Sequence, residues 1–219
     1  MSVQIGTVAP VGDLSIKVIR KGDKKQVAPL SWKLRNNLHW AFIKGFLAKY
    51  LIVPFANAWG VMCAIGELSI IVTRKDGTTI DYGVVSYRVV TSAGVNYIVD
   101  DFDNATGSAD VTNFKYHGIG TTNTAENASD TALAAESTTA LNPDSTRATG
   151  TGSQPSANIY QSVGTLTADA SIAAVEHGLF TTSGTGTGTL LDRSIFSTIN
   201  LASADSIQTT YALTLTAGS

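Results

Sequence analysis

Residues that usually carry chemistry are scarce in this chain. Its 219 residues include one cysteine, Cys63, and three histidines, His39, His117 and His177. A single cysteine excludes an intrachain disulfide framework. It lies in an apolar run, residues 61–65, so a buried and unreactive thiol is expected. No two histidines stand four residues apart, which excludes a helical zinc pair. Charged side chains make up only 15% of the chain, against about a quarter in an ordinary soluble domain. The opening MSVQIGTVAP has neither a charged segment nor an apolar one, so no secretory signal is expected. There is no Gly-x-Ser-x-Gly elbow. The Gly/Thr-rich run at 183–189 lacks a P-loop lysine and follows no β-α pattern, and reads as a flexible hairpin tip.

What fills the chain is Ser, Thr, Gly, Ala and Asn around a 43% hydrophobic content. That composition suits a β-rich protein with many turns, partly covered by neighbours rather than by water. Its net charge of −2 conceals an asymmetry. Residues 1–50 carry nine basic and two acidic side chains (+7), and the remainder carries six basic and fifteen acidic (−9). Such halves should attract each other, within a chain or between copies. The basic stretch contains no nucleic-acid motif, so nucleic acid is not an expected partner.

Two segments resemble each other. GDLSIKVIRK (12–21) aligns with GELSIIVTRK (66–75), and LSWKL (30–34) with VSYRV (85–89). Asp76-Gly77 between apolar runs signals a hairpin. Helix-like stretches follow at 37–51 and 92–102, so a duplicated ββα unit is one reading, and chance similarity of amphipathic strands the other. The apolar stretch 38–65 is interrupted by Lys44, Lys49 and Pro54. It reads as an amphipathic packing helix ended by Pro54, with no membrane partner expected. Its aromatic load suggests that part of it covers a neighbouring subunit.

Strand patterns recur in the second half. SIQTTYALTLT (206–216) alternates strictly, with Ile207, Thr209, Tyr211, Leu213 and Leu215 on one face. Further strands are expected at 113–120, 157–167, 171–180 and 189–199, in an antiparallel meander or sandwich. Residues 121–156 form a long polar loop, of a kind unusual in a domain unless it binds something. Glu176 and His177 are strand neighbours and point to opposite faces, so they cannot act together on one substrate. The acidic run 100–104 resembles half a calcium loop, but its spacing fails, and a solvated turn after a helix fits better. Acid–base or nucleophilic catalysis needs paired groups that this sequence does not offer, so the protein is expected not to be an enzyme and to use no cofactor or metal.

These later segments share a layout with a known family. Ile119-Gly120, Asp130-Thr131-Ala132-Leu133, Glu136, Arg147, Glu176, Gly178-Leu179-Phe180, Leu190-Leu191, Arg193, Phe196, Ile199-Asn200 and Asp205-Ser206 fall in one order. Over roughly residues 66–219 that order resembles the β-rich region of a family of tailed-bacteriophage virion structural proteins. The sequence departs at Val175, where the pattern prefers Thr, and at Ala204, where it prefers Gly. The resemblance implies a mainly β protein, an antiparallel β-sandwich with one or two packing helices. It implies assembly into a virion, in the host cytoplasm, with a major capsid protein or tail proteins as partners and with self-association. The residue reading adds a basic, aromatic-rich hairpin–helix unit at 1–65 before a sandwich domain at 66–219. The expected interface residues are Trp32, Arg35, Trp40, Phe42, Phe46, Tyr50, Trp59 and Arg193. Decoration or cementing of the capsid is the first functional expectation. A tail or tail-fibre protein that contacts a receptor or glycan through its polar loops or tryptophans is the alternative.

Overall fold

A computed structural model describes residues 4–5, 16–17, 24–88, 90–103 and 109–218. In chain order it has β1 (Gln4–Ile5), β2 (Ile16–Lys17) and β3 (Lys25–Val27). Helices α1 (Leu30–Asn37) and α2 (Trp40–Leu47), a π-helical turn (Ala48–Ile52) and α3 (Val53–Ala58) follow. Next come the hairpin β4 (Cys63–Thr73) and β5 (Thr79–Arg88), then α4 (Ser92–Asp103) and β6 (Tyr116–Gly120). The short β7 (Leu141–Asn142), β8 (Ala148–Thr149) and β9 (Thr151–Ser156) precede four long strands. These are β10 (Ile159–Ala168), β11 (Ile172–Phe180), β12 (Leu190–Leu201) and β13 (Ser206–Thr216).

The result is a β-sandwich with packed helices. One sheet has the order β3-β5-β4-β13-β10-β7, with β9 also on β10, and the other has the order β12-β11-β6-β8. Consecutive strands β10 and β11 lie in different sheets, as do β12 and β13, so the chain makes a sandwich and not a meander. Strict alternation on β4 and β13 gives each one inward face. Leu68, Ile70, Val72 and Ile207 meet Ile119, Ala174, Phe196 and Ile199 across the sheets. Of the predicted inner face of β13 only Leu215 emerges into solvent, near the strand's end.

The N-terminal helices belong to this body, and the expected boundary at 65/66 falls inside β4. Trp32 is buried, its indole N–H donating to the carbonyls of Ser197 (3.1 Å) and Thr198 (2.9 Å). Buried Asn36 bridges the sheets: its amide donates to Val85 O on β5 (2.9 Å) and its oxygen accepts from Ser197 N on β12 (2.8 Å). Helix α2 lies so close to β5 that a side chain at Gly45 would collide with the Tyr87 carbonyl.

Three expectations need correction. Pro54 does not end the helix. The chain widens into a π turn just ahead of it, where Val53 N–H bonds Ala48 O, and continues to Ala58. The duplication reading fails where it can be compared. Residues 30–34 are helical whereas 85–88 are strand, and β3 pairs with β5 in parallel while β4 pairs with it antiparallel. Most of 12–21 lies outside the described residues. Cys63 is only half-buried.

A glycine at position 204 would have a backbone reason, and alanine there does not. Ala204 adopts φ 72°, the left-handed region, in the turn between β12 and β13. A Cβ is strained there by roughly 1–2 kcal/mol, and glycine is not. Ala204→Gly should therefore raise stability by about 0.5–1 kcal/mol after its unfolded-state entropy is counted. The midpoint of urea unfolding measures this, and a lower midpoint would show the turn is not strained.

Candidate functional site

Two features stand out, one buried and one exposed. The buried one is ionic. Residues 124–136 lie over the outer face of the four-stranded sheet, where Thr124, Asp130, Ala134 and Ala135 bond Glu176 and Arg193, and both faces of β11 and β12 are largely buried. Glu176, fully buried on β11, accepts from Arg193 Nε on β12 at 2.9 Å and from the loop amides of Ala134 (3.2 Å) and Ala135 (2.8 Å). Arg193 also donates to Asp130 (3.0 Å) and to the Thr124 carbonyl (3.0 Å). Burial alone would lower the Arg193 pKa, but its hydrogen bonds to Asp130 and Glu176 raise it, so the guanidinium stays charged. Arg147 grips Glu136 with two bonds, at 2.6 and 2.9 Å, and its guanidinium lies 3.4 Å from the Phe180 ring centre. Arg147 also binds the carbonyls of Thr182 and Thr187, and Gly186 N–H donates to Glu136. The 183–189 tip is thus tied down and not flexible.

Behind β11, His177 points the other way, as strand alternation requires. Its Nε2 lies 3.0 Å from His117 Nδ1, and His117 also meets Ser162 Oγ (2.8 Å) and Thr209 Oγ1 (2.9 Å). Burial pushes the His117 pKa down to about 3. His177 is lowered by burial and by the neighbouring His117. Gly164 approaches the His117 ring so closely that a Cβ would clash with it.

Glu176 and Glu136 are paired with arginines, the histidines meet each other and hydroxyls, and buried Asp192 accepts from Ser194 Oγ at 2.8 Å. Among the described residues no three His, Cys, Asp or Glu side chains converge on a metal-sized space. The acidic run at 100–103 is the end of α4, not a loop. An open groove of about 750 Å³ along β10 and β13 contains Lys115 as its sole charged lining residue.

The exposed feature is helical. Leu30, Leu34 and Leu38 form one stripe, and Leu47, Leu51, Phe55 and Trp59 another, all between 40% and 75% exposed. Of the expected interface residues, Arg35, Trp40, Tyr50 and Trp59 lie exposed on this ridge. Phe42 and Phe46 are half-buried, edge-on to Tyr87 at 5.3 and 6.2 Å. Trp32 and Arg193 are corrected: both are buried, and their polar groups are spent within the chain. The leucine stripe of α1 was missed because 30–34 read as a strand; its i, i+4 spacing was the available signal.

The stretch Trp40–Ala58 is long and apolar enough to cross a membrane by length and composition, with 11% of it buried. One face is nevertheless committed to the sandwich, through Gly45 and Phe42 on Tyr87 and through the Lys49–Glu67 ion pair. Comparison with protein-family models, curated proteins and solved structures finds no match to this chain.

Two outcomes follow. Arg193→Met leaves Glu176 buried without its cation and half-buried Asp130 without its partner, and should cost about 3–5 kcal/mol. Urea unfolding and faster proteolysis within 121–140 would report it; an unchanged midpoint would show that the loop is held by other contacts. The histidine pair sets a pH dependence. Both folded pKa values lie below the unfolded value near 6.5, so the stabilisation is complete above pH 6.5 and falls as the pH drops toward the folded values. Between pH 7 and 5 the loss from His117 should be on the order of 2 kcal/mol, and His177 acts in the same direction. His117→Gln should flatten the slope, and an identical slope would assign it to other groups.

Proposed function

We propose that this chain is a structural protein of a tailed-bacteriophage particle, acting through subunit contacts and most simply as a capsid decoration or cement protein. The observation that carries the reading is the ridge on α1–α3. Twelve large apolar side chains between residues 30 and 62 stand exposed on one helical segment. Exposed apolar surface on that scale marks an interaction site. The polar residues on which the resemblance to the phage family rests, Glu136, Arg147, Glu176 and Arg193, pair with one another and tie the loops to the sandwich, a structural use that supports the reading. Weak contacts repeated around a symmetric shell then add through multivalency. A glycan-stacking row of tryptophans is disfavoured, since Trp32 is buried in the core.

The test is the chain's copy number and position in purified particles. Many copies on the head, lost when Phe55→Glu is introduced, is the expected result. A few copies at the tail, or none in the particle, would overturn the decoration reading.

A further inference from the structure

The ridge has a complement on the same chain. From residue 24 to 66 there are six basic side chains and no acidic one. From residue 89 to 114 there are four aspartates, Asp100, Asp101, Asp103 and Asp110, and no basic residue. The second segment contains α4, whose Val95, Val99 and Phe102 are 45%, 58% and 84% exposed. Their spacing of four and three residues places them on one side of the helix. Asp100, also exposed, adjoins that stripe. Helix α4 thus offers an apolar strip with acidic neighbours, and the ridge an apolar strip with the cations Arg35 and Lys44. Lys49 is already engaged by Glu67, so Arg35 and Lys44, both exposed, are the ones that face outward.

We infer that the ridge of one copy receives α4 of a second copy. This rests on the reading of the ridge as a subunit contact, not on its place in the particle. Two different patches meet, so the contact is head-to-tail, and a rotation that closes gives a ring. The two sides are unequal: the twelve ridge side chains present on the order of 1,000 Å² and the three on α4 roughly 300 Å², against about 800 Å² per partner in a stable interface, so α4 covers part of the ridge and the contact is a weak, concentration-dependent one. The like-charged pairings, ridge on ridge and α4 on α4, are disfavoured by their own charge, which sets the direction of assembly.

The experiment is sedimentation of the full-length chain, alone and in mixtures. Wild type should self-associate, less so at high salt. Phe102→Glu on α4 and Phe55→Glu on the ridge lie on exposed positions, and each alone should be monomeric with unchanged thermal unfolding. Mixed in equal amounts, each variant keeps one intact face, so the mixture should form dimers and stop there. Four results would overturn the proposal: a monomeric wild type at high concentration, a Phe102→Glu variant that assembles normally, a mixture that stays monomeric, or a monomer that binds vesicles of anionic phospholipid through the ridge. Particle copy number is read separately, so failure of self-pairing and failure of the virion reading are distinguishable.

Discussion

The arrangement depends on a charge placed where charge is expensive. Glu176 lies at the centre of β11, fully buried, and its carboxylate is tolerable only because Arg193 and two loop amides surround it. A buried ion of this kind costs several kcal/mol to desolvate, so every partner must be present at once. Two of those partners, Ala134 and Ala135, come from an irregular segment with no helix or long strand of its own. The ion pair therefore fixes a path for a loop that hydrophobic patterning could not fix. Arg147 and Glu136 repeat the device and extend it to the 183–189 tip. Such pairs add little stability over apolar side chains of the same size. What they add is a single register for some thirty residues of polar chain across the outside of a sheet.

That cover has a consequence for the sandwich. A two-sheet sandwich normally buries one face of each sheet and wets the other. Here the four-stranded sheet is buried on both faces, so polar side chains appear at depth on either side of β11. The outward Glu176 is matched by Arg193 and two amides, and the inward His177 by the His117 ring, which in turn meets two hydroxyls. Two apolar clusters flank this histidine layer, one around Leu68, Ile70 and Phe196 and one around Phe114, Leu179 and Leu191. The close approach of Gly164 to His117 shows how tightly the sheets meet there.

Period-two alternation was enough to find β10 to β13 within two residues, since each long strand has one face in the core. The sheet order was not legible, because alternation says which side is buried and not which strand is the neighbour. Residues 30–34 failed for a physical reason: five residues with apolar positions at 30, 32 and 34 satisfy a strand period as well as a helix period. Helix continuation through Pro54 was hidden because a π turn leaves no residue signature. Glu176, Arg193, Asp130, Glu136 and Arg147 were visible as a spaced pattern. Their meaning was not, since a charge in a strand pattern reads as surface until the loop that covers it is in place. Arg193 was assigned to an interface for that reason.

The distribution of polarity then becomes informative. With charged side chains at 15%, the chain has few to spend. Both arginines of the loop network and their three carboxylates are directed inward or under the loop. Meanwhile Trp59, Leu38 and Met62, each at least 70% exposed, face outward beside the helices. A free monomer gains nothing from that division, since exposed apolar surface costs about 25 cal/mol per Å² relative to burial. The same division is favourable where the ridge is covered for most of the protein's life and the loops face water. A sandwich with a stapled loop face and an apolar helical edge is the division that the proposed assembly role would use. The 24–66 and 89–114 segments carry opposite charges, the feature on which a directional contact would depend.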